Sequence, residues 1–149
     1  GSTRTKSKMT SKSIKIGIDT GVNTGLAIML WGDLTRVETT SITRAMALIL
    51  QWCPSEETKI YIEDARKWNG YSKNITDKKS KAKAQGAGSV KRDAQIWEDW
   101  CKENGYEYLL LSPAAKGAKV DAVKFEKITG WQGRTSQHAR DAAMLVYGR

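Results

Sequence analysis

An apolar hairpin at the start of the chain limits its architecture from the outset. Ile14 to Ile18 runs Ile-Lys-Ile-Gly-Ile, an alternation with the two-residue period of a strand. Leu26 to Trp31 is a second apolar, strand-like run, and Gly21, Asn23 and Gly25 supply turn chemistry between the two. Asp33 to Thr40 offers a third short strand. Helical spacing then begins near Thr43, with Ala45, Leu48, Ile49 and Trp52 on one face and Pro54 closing it. Lys59 to Glu63 is a fourth strand. Gly86-Ala87-Gly88-Ser89 is expected to open a helix that passes through Ile96, Trp97 and Trp100 and ends at Asn104-Gly105. Tyr106 to Leu111 is a fifth strand, stopped by Ser112-Pro113. Two further helices are expected, from about Val120 to Ile128 and from Ser136 to Tyr147, the second capped by Arg134-Thr135-Ser136. The order β-β-β-α-β-α-β-α-α predicts one α/β domain, a five-stranded mixed sheet flanked by helices.

Charge narrows the partner. Lys and Arg number 25 against 16 Asp and Glu, a formal charge of +9 that points to a polyanion, nucleic acid before an acidic membrane. The surplus is concentrated. Arg4, Lys6, Lys8, Lys12 and Lys15 occupy the first fifteen residues without an acid, and Lys73, Lys78, Lys79, Lys81, Lys83, Lys91 and Arg92 face only Asp77 in a second stretch. Residues 1–13 are expected to form a disordered basic tail, with Gly1-Ser2 as an expression scar and Met9 as a native start, ahead of a domain over 14–149. The second stretch reads as a basic loop after Arg66, Lys67, Trp68 and Tyr71. Aromatic faces beside a run of cations suit a phosphate backbone and its bases, although a solvated lysine loop has the same composition. No apolar run approaches the ~20 residues that span a bilayer, and no secretory segment is visible, so no membrane partner is expected. Cys53 and Cys101 stand in no CxxC pair and read as reduced, partly buried thiols.

Chemistry is expected where strands end. Asp19 closes the first strand and Glu63 the fourth, and α/β sheets gather ligand sites at the carboxyl ends of strands. Two acids brought together repel, and a divalent cation is the usual compensation. In the last helix His138 and Asp141 share one face by their i,i+3 spacing. Three carboxylates and an imidazole suit two magnesium ions, with manganese as a substitute, in a phosphodiesterase site. Each of the four also has a plain alternative as a solvated strand-end, cap or helix-surface residue.

Taken in order, Ile16-Gly-Ile-Asp19-Thr-Gly-Val-Asn-Thr-Gly25-Leu-Ala, Ile60-Tyr-Ile-Glu63, Gly86-Ala-Gly-Ser and His138-Ala-Arg-Asp141-Ala-Ala resemble the RuvC family of Holliday junction resolvases, of the RNase H-like superfamily. The resemblance covers roughly residues 14–148. It implies an RNase H-like nuclease domain in which the first and fourth strands are parallel neighbours, with Asp19, Glu63 and Asp141 as the family's acids. Where many relatives carry a further acid, this chain has His138. It further implies that the segment with Trp68, Tyr71 and the lysines approaches the junction, and that Lys116, Lys119 and Lys124 lie among phosphate-contacting residues, Lys119 preferred. A homodimer joined through the helix near Gly86 is implied too, with Trp97 and Trp100 as surface candidates unless they pack in the core.

The expected activity is therefore metal-dependent hydrolysis of four-way DNA junctions at symmetric positions, in recombination and repair, in cytoplasm, nucleoid or an organellar matrix. The alternatives are an RNase H-like nuclease for flaps, RNA or RNA:DNA hybrids, and a binding protein without catalysis. No nucleotide cofactor is expected, because Gly86-Ala-Gly-Ser lacks the Lys-Ser/Thr ending of a phosphate loop and the chain holds one copy of a domain that actin-like ATPases duplicate.

Overall fold

A computed structural model describes residues 12–67 and 78–149, and of residues 78–90 the backbone only. Strand β1 (Ile14–Asp19) pairs antiparallel with β2 (Thr24–Leu30), and β2 with β3 (Asp33–Thr40). On the other side of β1 lies β4 (Thr58–Glu63), parallel to it, with Ile16 opposite Ile60 and Ile18 opposite Ile62. Strand β5 (Glu107–Leu111) continues in parallel, so the sheet order is β3-β2-β1-β4-β5. This is the five-stranded mixed sheet expected from the sequence.

Helices α1 (Ile42–Trp52) and α2 (Lys78–Asn104) cover one face of the sheet, and α3 (Ala122–Thr129) and α4 (Gln137–Val146) the other. The period of β1 sends Ile14, Ile16 and Ile18 to the first face, where they pack with Leu26, Ile60, Ile62, Ile49 and the fully buried Trp97. Trp100 stacks on Tyr106 at 5.2 Å and 10°, and the Tyr106 hydroxyl donates to the Cys53 carbonyl at 2.7 Å. Trp97 is thus a core residue of this chain, while Trp100 packs against the core and stays partly exposed. Cys53 and Cys101 are free and buried here, and burial pushes the thiols up to about 11 and about 12.

The second face also buries Phe125, Tyr61 and Val146, but where α4 crosses β1 and β2 the contact is made by small residues. A side chain at Gly17 would meet the Ala142 carbonyl oxygen at 2.1 Å, and one at Gly25 the His138 carbonyl oxygen at 2.0 Å. With Ala27, Ala139, Ala142 and Ala143 around them, these glycines let the backbone of α4 lie directly on β1 and β2. That close approach sets the height of the whole helix over the end of β1.

One boundary differs from expectation. Helix α2 begins at Lys78 rather than at Gly86. Lys78 to Gln85 is rich in Lys, Ala and Gln, all strong helix formers, and Gly86 and Gly88, which cost about 1 kcal/mol each, sit within a helix of 27 residues. The basic stretch is therefore helical from Lys78 onward. Of the expected tail, residues 1–11 lie outside the described residues. Lys12 donates to the Glu56 carbonyl at 3.0 Å and Ser13 to the Glu57 carboxylate at 3.2 Å. Among the described residues no helix is long and apolar enough to cross a membrane.

Candidate active site

Strand parity determines which acids can meet. In β1 the residues opposite to the isoleucines are Lys15, Gly17 and Asp19, and in β4 they are Lys59, Tyr61 and Glu63. Because the two strands are parallel and in register, Asp19 and Glu63 end side by side on the face that α4 covers. The Thr20 hydroxyl ties the two strand ends together by donating to the Glu63 carbonyl at 3.1 Å. Helix α4 then lowers His138 and Asp141 onto the pair, its first turn capped by the Ser136 hydroxyl, which accepts from Ala139 N at 3.1 Å. His138 Nδ1 lies 2.9 Å from Asp19 Oδ2.

Lys116 completes the cluster. It sits in the turn Pro113–Lys116 that follows β5, and its ammonium donates to Glu63 Oε1, with Asp141 Oδ2 at 3.6 Å and Asp19 Oδ1 at 3.9 Å. The three acids and the lysine are all shielded from solvent, whereas the His138 side chain is 52 % exposed. Gln137 steadies Asp141 by donating to its Oδ1 at 2.8 Å, and Arg140 donates to Gln137 Oε1 at 3.2 Å and to the carbonyls of Thr135 and Val120. The sequence reading missed Gln137, although its i,i+4 spacing to Asp141 is the signal that would have found it.

The electrostatics show what this gathering costs. Burial, with the hydrogen bond and charge of Asp19, pushes the Glu63 carboxyl up to about 7. Asp19 is also raised, chiefly by burial, with Glu63 and Lys116 pulling the other way. Burial works against the charged form of Lys116, but its hydrogen bond to Glu63 and the fields of Glu63, Asp19 and Asp141 outweigh it and hold the ammonium above its ordinary value. Three carboxylates face one internal cation. In this arrangement they gather on the ammonium, and among the described residues no three Asp, Glu, His or Cys side chains stand ready as a metal-ligand set. By chemistry the donors do fit a hard divalent ion, since carboxylate oxygens in excess of the local positive charge are what magnesium and manganese take.

The other expected contacts divide. Lys119 and Lys124 are exposed, Lys119 close enough for its charge to act on Asp19, yet it is Lys116 rather than Lys119 that enters the cluster. Lys67 is exposed. Arg66, also exposed, donates to the buried Asp64 carboxylate at 2.8 Å, to Glu98 at 2.8 Å and to Gln95, pinning the end of β4 to α2. Trp68, Tyr71 and Lys73 lie outside the described residues, as do the side chains of Lys78, Lys79, Lys81 and Lys83.

No protein-family model matches the sequence, and none of the curated proteins matches it. Solved structures do. RuvC of T. thermophilus in complex with a Holliday junction substrate superposes with a TM-score of 0.56 at 15% identity, over 90% of each chain. A second T. thermophilus RuvC structure gives 0.52 at 16%, over 90% of this chain and 91% of the other. The chain therefore has the RuvC-like form of the RNase H-like fold, and its buried carboxylates stand at the carboxyl ends of two central parallel strands.

Proposed function

We propose that this protein is a metal-dependent endonuclease that resolves four-way DNA junctions by paired, symmetric phosphodiester hydrolysis, leaving 5′-phosphate and 3′-hydroxyl ends. The observation that carries the reading is the convergence of Asp19, Glu63 and Asp141, from three separate elements, on one buried cation. Maintaining three carboxylates in a shielded cluster is unfavourable for folding alone, and hydrolysis of a phosphodiester is the chemistry such a cluster serves on an RNase H-like sheet. The solved neighbour that carries a Holliday junction supports branched DNA as substrate.

In this reading Asp19, Glu63 and Asp141, with the exposed His138, would hold two magnesium ions, which would supply charge stabilisation for phosphodiester hydrolysis. The chain's own residues prepare that site. Gln137 fixes the direction of Asp141, His138 that of Asp19, and Lys116 offsets part of the negative charge so that a DNA phosphate can approach. A homodimer would present two such sites to two strands. The protein would act where chromosomal or organellar DNA recombines.

The test is cleavage of a labelled synthetic four-way junction in magnesium beside linear duplex, flap and RNA:DNA hybrid. Paired nicks in the junction, abolished by Asp19→Asn, Glu63→Gln and Asp141→Asn, are the expected result. Cutting of flap or hybrid alone would transfer the same site to another nuclease, and tight junction binding without cutting would leave a binding protein.

A further inference from the structure

At the opposite end of β1 from the carboxylates the sheet carries a second unusual feature. The β2–β3 connection is Trp31-Gly32, and Trp31 has φ 54°, the single positive φ outside glycine among the described residues. A bulky side chain in that region is strained, and such turns normally take Asn, Asp or Gly. The strain is not relieved by packing, because Trp31 is 79 % exposed, the most exposed large apolar side chain described. Its backbone is nevertheless held, Trp31 N donating to the Ser13 carbonyl at 2.9 Å. A rigid turn therefore presents an indole to solvent.

Beside it lies a groove of about 230 Å³ lined by Lys12, Ser13, Lys15, Met29, Gly32 and Arg149 as well as Trp31. Three of these are cations. Lys15 donates to the Arg149 carbonyl, the Arg149 guanidinium lies 5.4 Å over the Tyr61 ring, Lys12 shares Glu107 with Lys59, at 3.8 and 3.5 Å, and Ser13 donates to the Glu57 carboxylate at 3.2 Å. Arg4, Lys6 and Lys8 precede the groove in sequence. Positive charge around an exposed indole complements a phosphate with an unpaired base, the pairing by which single strands are bound. A duplex offers no free base face to a lone ring.

We propose that Trp31, with Lys15, Lys12 and Arg149, forms a second DNA-binding site that stacks an unpaired base of single-stranded DNA, about 17 Å from the carboxylates at ~3.3 Å per residue of β1. The choice of DNA rests on the function proposed above, but the site is defined without cleavage. It would hold a frayed or displaced strand while the carboxylates act elsewhere on the same substrate.

Trp31→Gly is a discriminating variant because glycine suits φ 54° and removes the ring without harming the turn. The probe is a labelled oligothymidylate of roughly 10 nucleotides. Binding should weaken about tenfold while the thermal midpoint stays level or rises. Lys15→Gln should lower both the affinity and its salt dependence. Unaltered oligothymidylate binding by Trp31→Gly would overturn the proposal. So would a loss confined to phosphatidylserine vesicles or to the matching RNA. Absence of junction cleavage by the parent protein, with Trp31-dependent binding intact, would instead overturn the nuclease reading alone.

Discussion

The two faces of the sheet are packed by opposite means. Against α1 and α2 the sheet presents isoleucines and closes around Trp97, so that face gains its stability from bulk. Against α4 it presents Gly17, Gly25 and Ala27, and the helix answers with Ala139, Ala142 and Ala143. Little apolar area is buried per residue there, but the backbones approach closely enough to fix His138 and Asp141 over Asp19. The first face relies on bulk throughout; the second, which also buries Phe125 and Val146, uses the absence of side chains beneath α4 to position a charged site that is itself destabilising.

If that division is right, damage to the two faces should have different consequences. Trp97→Ala removes the largest fully buried side chain and should cost about 3–5 kcal/mol in denaturant unfolding. The cleavage rate per folded molecule should persist, since Trp97 packs on the opposite face of the sheet from the carboxylates. Loss of cleavage in a sample still shown to be folded would break the comparison.

The charged cluster should reveal its own cost in the pH dependence of stability. With Glu63 raised to about 7 from 4.5, the folded protein keeps a proton between those values that the unfolded chain has released. Stability of the metal-free protein therefore falls as pH rises from 4.5 to 7, by on the order of 3 kcal/mol for that shift. Glu63→Gln should flatten this part of the profile, measured in chelator. A parallel profile for the variant would show that the burial of Glu63 is compensated.

Gly25→Ala tests the positioning face directly. Its methyl group would stand 2.0 Å from the His138 carbonyl oxygen, so α4 must lift. Overpacking of this kind costs about 1–3 kcal/mol, less than Trp97→Ala, yet it should abolish cleavage because Asp141 and His138 move with the helix. Gly17→Ala, 2.1 Å from the Ala142 carbonyl oxygen, should behave alike.

Much of this division was legible in the sequence, and the reasons are local. The Ile-Lys-Ile-Gly-Ile alternation dictates which face Asp19 takes, and the matching pattern of Lys59 to Glu63 does the same for Glu63. Spacing in the last helix put His138 and Asp141 together. Lys116 was visible only as one of several lysines. Nothing in the spacing distinguishes it from Lys119, because its entry depends on a short turn after β5 that tertiary packing aims. The ion pairs of Arg66 were not legible because its partners Gln95 and Glu98 come from α2, some thirty residues further on. The start of α2 differs for another reason: a lysine-rich run without apolar period looks the same in a loop and in a helix.

The smallest expected effect separates the faces most cleanly. Ser41 caps α1 by accepting from Arg44 N at 3.2 Å, and Ser136 caps α4 by accepting from Ala139 N at 3.1 Å. Loss of either cap to alanine costs about 1 kcal/mol, so the two variants should unfold at similar denaturant concentrations. Their activities should nevertheless diverge. Ser136 precedes Gln137 and His138 directly, and fraying of that first turn releases both the hydrogen bond to Asp141 and the contact with Asp19. Ser136→Ala should therefore lower the cleavage rate severalfold at saturating DNA, while Ser41→Ala leaves it unchanged. Equal rates for the two would mean that the glycine contacts further along α4 hold the site without help from its cap, and that the positioning face is more rigid than its small residues suggest.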